Sequence, residues 1–209
     1  MRRESSTVVA LVGHVAGGLL SELTHVSNVS IARAPVDADE SAASQPATAR
    51  AGWEAGADAM REAARRRSTY VIVPDDPLAD VAAEWREMWQ GASGVTGAAG
   101  FEASAADALA AWRGKRFELP DYYLVIAPAA QDAGEPDLYL GPFRAVRPHR
   151  VAVAGIADSR AQSTLLLDTL RSLEHGPWWP PLDELLDSAR HFYAGGLTIA
   201  SGPRDDDLD

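Results

Sequence analysis

Four short apolar runs, separated by longer stretches of helical pattern, constrain this chain more than any other feature. They are Thr7–Val12 (TVVALV), Thr69–Val73 (TYVIV), Asp121–Ala127 (DYYLVIA) and Arg150–Ile156 (RVAVAGI). Runs this short, almost continuously apolar and rich in Val and Ile, read as strands covered on both faces. The intervening segments carry the helical period. Pro77–Gly91 is the clearest: Asp76 suits the N-cap and Pro77 the first helical position. Leu78, Val81, Ala82, Trp85, Met88 and Trp89 then form one apolar stripe. Further helices are expected over 49–67, 103–113, 158–175 and 181–194.

Strands alternating with helices predict an α/β layered domain. Val29–Ala32 and Asp137–Phe143 read as weaker strands, and the second lies close enough to Asp121–Ala127 to pair with it as an antiparallel hairpin. The expectation is a mixed, mostly parallel sheet of about five or six strands flanked by helices. One domain spans 1–197, with an exposed loop at 35–48 (PVDADESAASQPAT) and a flexible glycine-rich linker at 91–100 (GASGVTGAAG). Residues 198–209, closing in RDDDLD, read as an acidic disordered tail.

Charge narrows the partners. Nineteen Lys and Arg against thirty Asp and Glu give a formal net charge of −11. Such a chain lacks the basic face that nucleic acid requires and is repelled by anionic membranes, so neither is expected as a partner. No stretch approaches the roughly 18 apolar residues of a membrane helix. Two arginines precede the first apolar run, as in a secretory leader, but Glu4 and His14 interrupt that pattern. With no cysteine in the chain, a cytoplasmic location is expected.

Missing residue types exclude several chemistries. Zero cysteines leave no thiol nucleophile, no thiolate zinc site and no iron–sulfur cluster. Lys115 is the single lysine beside eighteen arginines, a bias typical of a GC-rich bacterial genome. It stands in WRGKRF, outside any Walker-type phosphate loop and in poor context for a pyridoxal phosphate Schiff base. The turn GHVAGGL follows a strand as dinucleotide-binding turns do. However, Leu19 replaces the third glycine of the short-chain dehydrogenase pattern, and Ala111 stands where the Tyr of Tyr-x-x-x-Lys would be.

Three groups of residues remain as candidates. In an open α/β sheet, ligands collect outside the carboxyl ends of the strands. The loops there carry His14, Asp75 and Asp158 as candidate acid–base residues, with Asp75 and Asp76 as candidate ligands for a divalent cation such as magnesium. Capping of helix starts explains Asp76 and Asp158 equally well. Arg144, Arg147 and Arg150, with Trp178 and Trp179 of the GPWWPP turn, offer a binding surface for an anion or a protein. Pairing with surface acid and plugging of the core are the structural alternatives. Arg61, Arg65, Arg66 and Arg67 close a helix, where positive charge complements the dipole. Two functions follow: a non-catalytic binding or accessory protein for a partner or small anionic ligand, or a metal-assisted hydrolase acting on an anionic, phosphorylated small molecule.

Overall fold

A computed structural model describes residues 6–34, 52–90, 94–127, 137–155 and 158–200. Five strands form one sheet: β1 (Thr7–Gly13), β2 (Val29–Ile31), β3 (Tyr70–Val73), β4 (Tyr122–Ala127) and β5 (Val151–Gly155). Their order is β2-β3-β1-β4-β5 and every pairing is parallel. This is the layered α/β arrangement expected from the alternating pattern. The register aligns Val73, Ala10, Tyr123 and Val151 across the sheet, so alternate residues of each strand serve opposite faces.

The face carrying Val9, Leu11, Ile72, Leu124 and Ile126 is covered by α1 (Leu19–Leu23) and α6 (Ser159–Arg171). The other face carries Ala10, Tyr123, Val125 and Val151 beneath α3 (Ala79–Gln90), α4 (Gly94–Arg113) and α7 (Leu182–Ala200). On that same face, α2 (Gly52–Ala63) packs Ala59, Met60 and Ala63 on Val71 and Val73. Trp85, with Phe101 edge-on at 5.5 Å, fills the space between α3 and α4. Thus the connection leaving β1 crosses one face while those leaving β3 and β4 cross the other. The crossovers change face at β1.

Two segments differ from the reading of the sequence. Asp137–Phe143 forms no hairpin strand; Tyr139–Phe143 is a π-helical turn, continued by the short helix α5 (Arg144–Val146). Pro142 lies inside this turn and would remove a ladder donor from a central strand. The Asp137 carboxylate accepts the N–H groups of Tyr139 (2.8 Å) and Leu140 (3.1 Å), which favours a helical start. Tyr139 and Phe143 are then both buried, and the sheet stays parallel. Residues 94–100 form the first turns of α4 where a linker was expected. A Cβ at Gly100 would meet the Glu84 side chain, so the small residues there let α4 lie close to α3.

The expected loop at 35–48 lies outside the described residues, as do 91–93 and 201–209. The backbone of α7 continues through residues 198–200. No helix among the described residues is long and apolar enough to cross a membrane.

Candidate functional site

The parallel sheet brings His14, Asp75, Asp76 and Asp158 to its carboxyl edge, each on the loop that follows β1, β3 or β5. There the carboxylates hold the fold together. Asp158 is the N-cap of α6 and accepts the Ala161 N–H at 3.0 Å. Asp75 accepts the Ala34 N–H at 3.1 Å, tying the end of β2 to the end of β3. His14 is exposed, and its backbone N–H and C=O are bonded to Ile126 and to the Gln162 amide. No group of three or more His, Asp or Glu side chains placed to hold a metal ion occurs among the described residues.

Asp76 is different. It is buried, accepts the Leu78 N–H at 3.1 Å and accepts the Tyr139 hydroxyl on its other oxygen. Burial raises its pKa from 3.8 to about 6, against the lowering effect of those hydrogen bonds. The Tyr139 ring stacks on Tyr123 at 4.6 Å, and burial with the neighbouring carboxylate pushes both phenols well above their ordinary pKa. The Tyr123 hydroxyl also bears on the Asp76 carboxylate but meets hydrogen-bond geometry with no group among the described residues. A Cβ on Gly56 would fall 2.2 Å from Pro77 N, so α2 presses directly on this loop. The cluster fastens the π-helical turn to the start of α3.

The arginine and tryptophan group forms a clasp at the opposite, amino edge. Arg150 donates to the carbonyls of Gly176 (2.7 Å), Pro177 (3.1 Å) and Asp121 (3.3 Å). Its guanidinium lies between the Tyr122 and Trp178 rings, 4.9 and 4.8 Å from their centroids. Arg147 donates to the Trp178 carbonyl at 2.8 Å. Trp179 is buried and donates its indole N–H to Pro120 at 2.9 Å, while Trp178 is 42% exposed. Arg144 stands exposed on α5. Arg147 and Arg150 therefore hold the GPWWPP turn against the ends of β4 and β5, and the two tryptophans divide between core and surface.

A cleft of about 460 Å³ opens elsewhere along the amino edge. Its lining joins Ser6 before β1, the end of α2 before β3, and the 115–118 turn before β4. Six cationic side chains surround it: Arg61, Arg65, Arg66, Arg67, Lys115 and Arg116. Arg61 pairs with Asp58, and Arg65 and Arg66 pair with Glu62. Arg67, Lys115 and Arg116 make no salt bridge among the described residues; Arg116 stacks over Trp53 at 5.6 Å. Among the described residues of the lining Glu118 is the one carboxylate, and Val8, Met60 and Phe117 lie among the apolar ones.

Sequence reading treated Arg61–Arg67 only as helix-terminal charge and did not place Lys115 beside them. It also missed Gln162, fully buried on α6, whose amide accepts the Ala16 N–H (2.8 Å) and donates to the His14 carbonyl (3.2 Å). No spacing along the chain signals either arrangement, because each joins segments far apart in sequence. Comparison with family models, curated proteins and solved structures finds no match to this chain.

Proposed function

We propose that this is a non-catalytic binding protein for a small anionic ligand, held in the cleft at the amino edge of the sheet. One observation carries the reading: six of the nineteen basic residues of a chain with net charge −11 converge on one concavity. Asp58 and Glu62 pair with three of the six, and Glu118 stands in the lining, which leaves the cluster a surplus of positive charge. Like charges so gathered repel one another, and a bound anion relieves that repulsion. The convergence also revises where an anion is sought: all three guanidinium nitrogens of Arg150 and two of Arg147 donate to backbone carbonyls. The described lining offers cations and apolar surface for docking.

Thermal unfolding of the full chain at low ionic strength, with pyrophosphate or citrate added, tests this. Either anion at a hundred times its Kd stabilises by about 2.7 kcal/mol, roughly 5 to 10 °C for a domain of this size. Salt should weaken the shift, and an Arg67→Glu/Lys115→Glu double variant should abolish it. An undisturbed melting temperature with both anions, or equal shifts in the double variant, sinks the reading.

A further inference from the structure

Lys115 occupies a backbone position where a lysine is disfavoured. α4 ends at Arg113, and the next residues close a Schellman turn: Lys115 N–H bonds the Trp112 carbonyl and Arg116 N–H the Ala111 carbonyl, both at 2.9 Å. That motif sets one residue in the left-handed region, a place most often taken by glycine. Here it is Lys115, with φ 56°, the one non-glycine residue of positive φ among those described. Glycine is present but stands one position earlier, at Gly114. The chain's single lysine is thus held in a strained conformation on the rim of the cationic cleft.

The lining beneath it is apolar. Met60 and Phe117 are buried and Val8 is half-buried, and all three belong to the cleft. Cations at the rim and apolar groups beside them match a molecule with an anionic head and an apolar body. About 460 Å³ accommodates a small organic molecule and far exceeds a bare oxyanion.

We infer that the ligand is an amphiphilic organic phosphate or similar anion, its head group contacted by Lys115 with Arg67 and Arg116, and its apolar body laid against Val8, Met60 and Phe117. This rests on the binding reading above. The strain at Lys115 is retained because the left-handed turn places an ammonium on the rim. A glycine there would relieve the backbone and remove the charge.

Calorimetric titration of the full chain with inorganic phosphate, with octyl phosphate below its micellar range and with octanol tests the inference. Octyl phosphate is expected to bind about tenfold tighter than inorganic phosphate, since burial of roughly two methylenes suffices for that factor. Lys115→Gly should lose about tenfold for octyl phosphate while its thermal stability holds or rises. Lys115→Asn, which tolerates the left-handed conformation, removes the charge with the turn kept and should behave alike. Equal affinities for the two phosphates, or equal binding of octanol, would overturn the ligand class and leave the anion cleft standing. Wild-type affinity for octyl phosphate in both variants would overturn the role of Lys115. Binding to phosphatidylglycerol vesicles without binding to octyl phosphate would overturn a soluble ligand. If neither phosphate binds the wild-type protein, the cleft reading itself falls.

Discussion

At the carboxyl edge of the sheet, Asp75, Asp76, Asp158 and Gln162 each accept a backbone N–H, whereas Lys115, Arg67 and Arg116 line a cleft at the amino edge without a salt bridge among the described residues. Topology alone would place a ligand at the first edge, because the crossovers change face there. The side chains argue for the second. A polar residue whose bonding capacity is met by backbone has little left for a ligand, while a cation among cations lacks a counter-charge. On the proposed reading, position relative to the sheet tells less about binding than whether each polar group already has its partner.

Removing the partner at the carboxyl edge gives the largest effect. Gln162→Leu keeps the side-chain volume approximately but strands the Ala16 N–H and the His14 carbonyl, both bonded in part-buried surroundings. Each unmet backbone group costs about 1 to 3 kcal/mol, so urea unfolding should show a loss of about 3 kcal/mol. Anion binding at the other edge should persist. A variant as stable as wild type would show that this amide does not hold the β1 loop, and the contrast between the edges would weaken.

Asp76 gives the next effect, and its sign depends on pH. Its folded pKa of about 6 stands above the value of 3.8 for a free side chain. Between those values the folded protein binds the extra proton, so stability falls as pH rises through that window. The favourable contribution is full below about 4 and gone above about 6. A shift of about two units corresponds to roughly 3 kcal/mol. Asn cannot ionise and still accepts the Leu78 N–H, so Asp76→Asn should be more stable by roughly 2 kcal/mol at about pH 8 and equal to wild type near pH 4. Urea unfolding across that range checks it. Parallel pH profiles for the two proteins would rule out Asp76 as the source.

The five strands and a mostly parallel sheet were legible because buried β-branched runs with helical crossovers permit few alternatives, whereas their order β2-β3-β1-β4-β5 was not. Asp158 was legible as a cap, since capping is local. The π-helical turn was readable in part: Asp137 at its start and Pro142 within the run both oppose a strand, yet the continuous apolar run Leu138–Leu140 suggests one. The cleft was not legible. Its cations come from 61–67 and 115–116, and only the sheet order, with β1 between β3 and β4, brings those segments together. Gln162 was hidden for the same reason, meeting a loop 146 residues earlier in the chain.

The smallest effect separates strain from binding at the amino edge. A non-glycine residue in the left-handed region costs about 1 kcal/mol or slightly more, and glycine returns part of that through the greater freedom of its unfolded chain. Lys115→Gly should therefore gain about 0.5 kcal/mol, a rise of roughly 1 to 2 °C in melting temperature. Removing one cation from a cluster of six adds a little in the same direction, so the gain should shrink as salt screens the repulsion. Lys115→Asn shares the electrostatic part but less of the backbone part. Comparing the two variants at low and high salt divides the effects. If both were less stable than wild type at every salt concentration, Lys115 would be supporting the fold as Asp76 and Gln162 do, and the two edges would no longer differ in kind.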